Sequence, residues 1–328
     1  MKNKLFLTAI IAIFMLLATA CGNGGESAPK TSSKEASTQA KEESPKKEET
    51  RTITYLGKEY TIPMEVKNIV ITGAMEAMED SVLLDVKPVG AMTIGGKFPE
   101  VFSSIVENAE PIGEKSQPDF ETILKLKPDV ILASTKFPDE VIQKLEKIGT
   151  TIRYSHIATD WEENVKFLGE LTGKQEDATA EIEKYSSDLQ SAKEKLKETV
   201  EGKKVLAVRI RGGNLFIYPE TVFVNPLLYS DLGLSGVQEV QAAKAQEQIS
   251  VEKLAEINPD YLFIQFENNE NAQAPNALKD LQQNPILNKT NAFKDDHVFV
   301  NVIDPLSEGG PALSRINFLK EAVSALTK

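Results

Sequence analysis

Two arginines near the middle of the chain form its most distinctive chemical pattern. Residues 205–219, VLAVRIRGGNLFIYP, predict an apolar strand, a turn at Gly212 and Gly213, and a returning strand. Because side chains alternate along a strand, Arg209 and Arg211 share one face. Arginine keeps its charge, so two adjacent guanidinium groups are tolerated best with an anion between them. The pair predicts an anion site if that face lines a cleft, and a solvated strand end if it does not.

Further basic residues stand in segments predicted as loops at strand ends. The near-copies GKFPE and TKFPD carry Lys97 and Lys136, and two other loops carry Lys115 and Lys244. A single lysine is more often a solvated surface charge. The set as a whole favours binding in one cleft between two lobes.

The predicted ligand is multiply negative, because grouped cations without nearby acids repel one another. A ferric ion held by three doubly negative catecholates has three net negative charges. Lys115, Lys136 and Arg211 could each meet one side of such a trianion. Cations over the catechol rings would add about 0.5–2 kcal/mol each. The iron would arrive already chelated, and the protein would supply no metal ligand.

The elements that must position these residues follow an α/β pattern. A hairpin is predicted at residues 53–63, then a strand at 67–72, a helix at 74–86 and a second strand near Val89. Strand, helix and strand in succession indicate parallel βα units.

An internal repeat predicts two lobes of the same α/β build. Residues 120–133 resemble residues 251–264, and each copy has a glutamate at its second position (Glu121, Glu252), a short helix, a Pro-Asp turn and an apolar strand. Residues 174–200 carry apolar side chains at helical spacing and predict one long helix between the lobes. The predicted domains are an N-terminal lobe at 51–160, a linker with the long helix at 161–203 and a C-terminal lobe at 204–328. A ligand would lie between the lobes, near the carboxyl ends of the strands.

Composition excludes several classes of function. A chain of 328 residues is too long for one ordinary hydrophobic core, so two domains are expected. A net charge of -12 argues against nucleic acid binding. One cysteine excludes an intramolecular disulfide and a cysteine-based zinc site, and two histidines exclude a histidine-rich metal cage. We find no G-x-S-x-G, Walker or HExxH motif, so an enzyme is not favoured. His156 has no evident partner in the sequence, and His297 is predicted to open a surface strand.

The N-terminal segment predicts export and a lipid anchor. Residues 1–20 combine a basic start, a short apolar run and small residues before Cys21, which is typical of a signal peptide. Cys21 is the predicted lipidation site. Residues 21–50 lack large apolar side chains and predict a flexible tether. A single membrane-spanning anchor is the alternative, although the apolar run is short for a span of about 20 residues.

The lipoprotein start, the Glu…Pro-Asp repeat and the linking helix resemble the siderophore-binding proteins of ABC iron importers. GGKFPE, ASTKFPDE and VRIRGGNLFIYPE resemble the Gram-positive members that bind ferric catecholates of the bacillibactin type. The resemblance implies two Rossmann-like lobes joined by one long α-helix, as in class III periplasmic binding proteins. It also implies a monomer with no enzymatic activity and no intrinsic cofactor, held at the outer face of the cell membrane.

The resemblance further implies roles for individual residues. Lys115, Lys136 and Arg211 match a basic triad, supported by Arg209, Lys244 and Gln246; with Lys97 they form the predicted ligand set. Gly212 departs from the pattern, which has a polar side chain there. Glu121 and Glu252 would dock to a two-fold symmetric ABC permease. Each could instead be a carboxylate stabilised by the helix dipole.

Two alternative ligands stay open at this point. One is a ferric hydroxamate or carboxylate siderophore, which has less negative charge. The other is haem, which would need an axial methionine, histidine or tyrosine facing the cleft.

Overall fold

A computed structural model describes residues 49–307 and 309–328. These residues belong to one compact unit. The predicted signal peptide, Cys21 and most of the predicted tether lie outside them. Within the described ranges, no helix combines the length and the apolar character that a membrane span requires.

The fold begins with the predicted hairpin, formed by strands β1 (Thr50–Tyr55) and β2 (Lys58–Pro63). Leu56 and Gly57 make its two-residue turn, and both have positive φ, at 48° and 75°. Two positive φ values match the right-handed twist of the flanking strands.

A six-stranded sheet follows, in the order β6-β5-β4-β3-β7-β8. Strands β3 and β7 are apolar runs of buried residues, as expected for central strands covered on both faces. All pairs are parallel except β5 with β6. The strands are β3 (Ile69–Thr72), β4 (Gly90–Thr93), β5 (Glu110–Glu114), β6 (Gln117–Pro118), β7 (Val130–Ser134) and β8 (Thr151–Tyr154). The helices of this part are α1 (Met75–Leu83), α2 (Ser103–Val106), α3 (Phe120–Lys125) and α4 (Asp139–Glu146), with a 3-10 turn at Glu100–Phe102.

Two consecutive helices connect this sheet to the next one. After a 3-10 turn at Ala158–Asp160, α5 (Trp161–Thr172) ends at Gly173, whose φ of 73° is left-handed. Glycine adopts this conformation without a Cβ penalty, so it ends the helix. Helix α6 (Gln175–Leu196) then runs for 22 residues. The predicted long helix is therefore confirmed, a few residues shorter at its C-terminal end.

A five-stranded sheet in the order β11-β10-β9-β12-β13 forms the second half. Strand β12 pairs in parallel with β9 and β13, whereas β10 pairs antiparallel with both β9 and β11. The strands are β9 (Val205–Arg211), β10 (Asn214–Ile217), β11 (Glu247–Ile249), β12 (Tyr261–Phe266) and β13 (Val298–Val300). The helices are α7 (Gln238–Ala242), α8 (Val251–Ile257), α9 (Ala277–Gln282), α10 (Asn291–Lys294) and α11 (Ala312–Leu326), with a π-helical turn at Pro226–Asp231 and a 3-10 turn at Leu287–Lys289.

The internal repeat is present as two equivalent helix–strand units, α3–β7 and α8–β12. The carboxylate of Asp129 accepts hydrogen bonds at 2.8 Å from two backbone amides just before β3. Asp260 accepts one at 2.8 Å from the amide just before β9. Each Pro-Asp turn therefore fixes the start of the neighbouring parallel strand, which explains why both copies keep the aspartate.

Helix α1 is joined to α11 through buried carboxylates. Glu79 Oε2 accepts a hydrogen bond from the Ser314 amide at 2.9 Å, and Asp80 Oδ1 accepts one from the Ala312 amide at 3.2 Å. The Tyr154 hydroxyl donates to Asp80 Oδ2 at 2.8 Å. Burial raises the pKa of Asp80 well above its ordinary value, although these two hydrogen bonds act in the opposite direction. The first turn of α11 thus satisfies its amides with side chains from the other half of the fold.

A buried arginine joins α11 to the linking helices. Arg315 is 2% exposed and donates to Ala158 O at 2.9 Å and to Gly310 O at 3.3 Å. It also contacts the carboxylate of Asp231, which accepts a hydrogen bond from the Tyr185 hydroxyl at 2.6 Å. Helix α6 is therefore joined to α11 by a charged hydrogen-bond network as well as by apolar packing.

Candidate ligand-binding site

A cavity of about 660 Å³ lies where strands of both sheets end. Lys136 follows β7 and His156 follows β8, whereas Arg209 and Arg211 lie on β9 and Glu267 follows β12. The cavity is thus at the carboxyl ends of the parallel strands, where the sequence predicted it.

One carboxylate bridges the two arginines. Arg209 Nε lies 2.9 Å from Glu270 Oε2, and Arg211 Nε lies 3.5 Å from Glu270 Oε1. Arg209 also donates to Gln265 at 3.2 Å, and Arg211 donates to Gln246 at 2.9 Å. The two guanidinium groups therefore share a face, as the strand alternation predicted, and an anion lies between them.

The turn after Arg211 is held tightly. Gly212 and Gly213 have φ values of 54° and 78°, which the two-residue hairpin requires and glycine supplies. Buried Asn271 accepts from the Gly213 amide at 3.0 Å and donates to Ile210 O at 2.9 Å. The Gly212 amide donates to Glu270 O at 3.0 Å. The loop that carries Glu270 is therefore hydrogen-bonded to the hairpin that carries Arg211.

Lys136 is positioned by its aromatic neighbour. Phe137 packs against Gly73, where no side chain could fit beneath its ring, and Gly73 lies in the turn before α1. Lys136 Nζ lies 3.2 Å from Glu76 Oε1 on α1. The Glu76 side chain is 4% exposed and that of Lys136 is 43% exposed, so the lysine reaches from a buried carboxylate into the cavity.

Lys115 lines the cavity from the turn between β5 and β6. Its neighbour Glu114 accepts from the amides of Gly95 and Gly96 at 2.9 and 2.7 Å. The Gly96 bond is the main cause that holds the pKa of Glu114 below its ordinary value. This contact fixes the loop that carries Lys97, which is exposed and lies outside the described cavity lining.

His156 has a partner that the sequence did not reveal. Its Nδ1 lies 2.6 Å from the Thr135 hydroxyl, and its amide donates to the same oxygen at 3.1 Å. Thr135 and His156 follow the adjacent parallel strands β7 and β8, so their side chains meet at the cavity wall. The sequence could not show this pairing, because it depends on strand order. His297, which precedes β13, stacks on Tyr261 with ring centroids 4.4 Å apart.

Aromatic residues complete the walls. Trp161, the one tryptophan of the sequence, opens α5 and lies with its ring 5.2 Å from the Arg315 guanidinium. Phe223 lies 5.9 Å from the Arg209 guanidinium and 5.1 Å from the Tyr218 ring. The Tyr218 hydroxyl donates to Gln246 at 3.2 Å, and burial raises its pKa. The cavity therefore offers flat apolar surfaces beside its cations.

The structure brings most of the predicted ligand set to this cavity. Lys115, Lys136, Arg209, Arg211 and Gln246 belong to its described lining, whereas Lys97 and Lys244 are exposed outside it. The binding role of all seven stays a prediction.

The expectation that the cations have no acids nearby is wrong. Glu76, Glu267 and Glu270 line the same cavity. Glu76 and Glu270 come from segments distant in sequence from Lys136 and Arg211, which they contact. The repeat offered one signal for Glu267, which stands at the position equivalent to Lys136. Each lies three residues after the end of its aligned copy.

The two predicted docking glutamates occupy equivalent exposed positions. Glu121 and Glu252 lie in the first turns of α3 and α8, after the capping residues Asp119 and Ser250. Glu121 pairs with Lys125 at 2.9 Å. The backbone amide of Glu252 and the Ser250 hydroxyl hold the pKa of Glu252 below its ordinary value. Both placements suit docking and stabilisation by the helix dipole alike, so the docking role stays a prediction.

Comparison with known proteins identifies the family. Residues 97–301 match the periplasmic binding protein family. The chain is 49% identical over 326 residues to the iron-uptake system-binding protein of Bacillus subtilis, which covers 99% of both chains. This chain belongs to the periplasmic binding proteins. The predicted relationship to siderophore-binding proteins and the prediction of a binding protein agree with this family.

Solved structures confirm the fold class. The crystal structure of the triscatecholate siderophore-binding protein FeuA of Bacillus subtilis with ferri-bacillibactin matches with a TM-score of 0.80 and 52% identity, covering 84% of this chain and 98% of that one. The petrobactin-binding protein YclQ of Bacillus subtilis matches with a TM-score of 0.73 at 19% identity, covering 85% of this chain and 99% of that one, and so shows the fold alone. The predicted α/β fold of two Rossmann-like lobes joined by a long helix is therefore confirmed. Among the described residues, no cluster of three histidine, cysteine or acidic side chains could hold a metal ion.

Proposed function

We propose that this periplasmic binding protein captures a ferric tris-catecholate siderophore of the bacillibactin or enterobactin type and delivers it to an ABC permease. One observation carries the proposal. Lys115 and Lys136 from the first sheet and Arg209 and Arg211 from the second line a single cavity. Cations that converge from both halves suit a compact ligand that is negative on several sides.

The chemistry of the walls supports a catecholate. Charge-assisted hydrogen bonds from guanidinium and ammonium groups to catecholate oxygens are stronger in a partly dry cavity than in bulk water. Trp161, Tyr218 and Phe223 supply apolar surface for the catechol rings. The iron is cargo and stays bound by the siderophore oxygens. The relative FeuA, whose crystal structure contains ferri-bacillibactin, supports the same ligand class here.

Delivery to the permease would depend on a lipid anchor and on a docking surface. Cys21 would carry the lipid that holds a monomeric protein at the outer face of the cell membrane. Glu121 and Glu252 would bind basic residues of the permease dimer, one from each half of the fold. The two lobes would comprise residues 51–160 and 204–328, and residues 161–203 would form their linker.

Fluorescence of Trp161 tests the ligand directly, because the sequence holds one tryptophan and it lines the cavity. Titration with ferric tris-catecholates should quench the Trp161 emission. Dilution should then release the ferric complex unchanged. An uncharged ferric trihydroxamate and ferric citrate should quench weakly. Trp161→Phe, with binding followed by calorimetry, controls for absorption of light by the complex. Preference for the hydroxamate or citrate would contradict the proposal.

Haem is a second candidate, because His156 and Tyr218 line the cavity and both residue types serve as axial ligands. Addition of haem should then produce a shifted Soret band that is lost in His156→Ala or Tyr218→Phe. An unshifted spectrum would remove this candidate.

A further inference from the structure

The cavity already contains an anion of its own at the two arginines. Glu270 lies 2.9 Å from Arg209 and 3.5 Å from Arg211, and it reaches both with different oxygens. A ligand that uses these guanidinium groups must therefore compete with a carboxylate that belongs to the protein.

We propose that Glu270 is an internal counter-ion that limits ligand affinity by competing for Arg211. This inference rests on the proposed function, since it assumes an anionic ferric complex. The empty site keeps its arginines neutralised, and the arriving complex replaces the carboxylate at Arg211. When the complex leaves, Glu270 returns to the arginine and favours release.

The contacts of Glu270 with Arg209 and with Arg211 differ in exposure and length. This difference indicates which contact a ligand would break. The Arg209 side chain is 12% exposed, whereas that of Arg211 is 44% exposed. Arg209 is further held by Gln265 at 3.2 Å and lies against the Phe223 ring. Arg211 has the longer contact and the greater access to solvent. Glu270 therefore stays with Arg209 while Arg211 moves to the ligand.

The position of Glu270 does not depend on its own carboxylate. Its amide donates to Glu267 Oε2 at 2.8 Å, and its carbonyl accepts from the Gly212 amide at 3.0 Å. Asn271 next to it is buried and hydrogen-bonded to the hairpin. A change of the side chain alone therefore removes the charge while the loop keeps its backbone contacts.

Glu270→Gln tests the proposal, because glutamine keeps the shape and removes the negative charge. Affinity for a ferric tris-catecholate should rise about tenfold, since one repulsive charge near a trianion is lost. Affinity for an uncharged ferric trihydroxamate should not rise. Glu183→Gln on α6, where Glu183 is exposed, removes an equal charge outside the described cavity lining and should leave both affinities unchanged.

Thermal unfolding separates competition from a merely structural role. In Glu270→Gln the ligand-free protein should lose stability, because two guanidinium groups then lack their anion, and the ligand-bound protein should lose less, because the ligand neutralises Arg211. The ligand-induced rise in Tm should therefore be larger than in the wild type. Equal losses in the free and bound forms would overturn the proposal.

The outcomes distinguish this inference from the proposed function. If the wild type fails to bind any ferric tris-catecholate, the proposed function fails first. If the wild type binds and Glu270→Gln binds equally or more weakly, only the counter-ion role is overturned. Should Glu270→Gln not fold, Glu270→Asp shortens the side chain and weakens its reach to Arg211. It should then raise the affinity by a smaller factor, and an unchanged or lower affinity would again overturn the role.

Discussion

Lys136 and Arg211 each contact a carboxylate in the cavity, so a ligand that binds these cations must displace or accommodate a negative charge of the protein. In the described lining, four lysine or arginine side chains face three glutamates, which leaves a formal excess of one positive charge. Because the net positive charge of the lining is small, a trianion would bind well only by contacting several of these cations at once. Loss of any one of them should therefore be measurable.

Arg211→Ala should weaken binding of a ferric tris-catecholate by about 1.5–3 kcal/mol, the range for a hydrogen bond to a charged group. Arg211 is the more exposed of the two arginines, so its removal should disturb the fold little. The measurement is a fluorescence or calorimetric titration. Lys184→Ala, which removes an exposed cation on α6, is the control and should bind as the wild type does. Equal affinities for both variants would remove Arg211 from the site.

At the scale of elements, the hairpin β9–β10 carries the arginines and depends on a loop after β12. Asn271 makes two hydrogen bonds to the hairpin, accepting from Gly213 N at 3.0 Å and donating to Ile210 O at 2.9 Å, and a third within its own loop, to Glu267 O at 2.8 Å. This buried amide, together with the Gly212 amide bond to Glu270 O, therefore sets the distance between the hairpin and the Glu270 loop.

Asn271→Ala should lower the free energy of unfolding by about 2–4 kcal/mol, because it leaves buried polar groups without partners. It should also weaken ligand binding, since the arginine hairpin is no longer fixed. Urea denaturation measures the first effect and titration the second. Asn276→Ala, in the same loop region before α9, is the matched control for loss of an amide side chain. A stability equal to that of the wild type would show that the loop is held by other contacts.

The elements were predictable where a local pattern determines them. The Pro-Asp repeat, the Gly212 turn and the long helix are consequences of nearby residues, and each was predicted from the sequence. The acids of the site were not, because Glu76 and Glu270 reach Lys136 and Arg211 only through the order of strands in each sheet. His156 was missed for the same reason. Which side chains meet is decided by topology, and local spacing does not record it.

At the scale of the whole molecule, equivalent helices of the repeat present Glu121 and Glu252 to solvent. Glu121→Arg combined with Glu252→Arg should abolish siderophore uptake by cells, because both carboxylates would become cations facing basic residues of the permease. Ligand binding by the purified variant should persist. Glu183→Arg is the surface control and should leave uptake intact. Normal uptake by the double variant would reject the docking role.

The contact between α1 and α11 makes stability depend on pH. Burial raises the pKa of Asp80 above its value in the unfolded chain, and the neighbouring carboxylates act in the same direction. Between these two pKa values the folded state holds a proton that the unfolded chain has lost. The contribution of Asp80 to the free energy of unfolding should therefore fall as pH rises from about 4.

Asp80→Asn provides the measurement, because asparagine holds no titrating proton. The stability difference, wild type minus variant, should decrease as pH rises above about 4 in urea unfolding experiments. Parallel pH profiles for the two proteins would show that Asp80 titrates alike in both states.

The same contact has a consequence for biosynthesis. Asp80 and Ala312 meet across 232 positions of sequence, and Glu79 and Ser314 across 235. A polypeptide that leaves the ribosome or an export channel from its amino end presents α1 long before α11 exists. Its acidic side chains stay hydrated until the final helix emerges and supplies their amide donors. Maturation therefore ends with the arrival of α11, and a chain cut short before that helix would remain open to proteases.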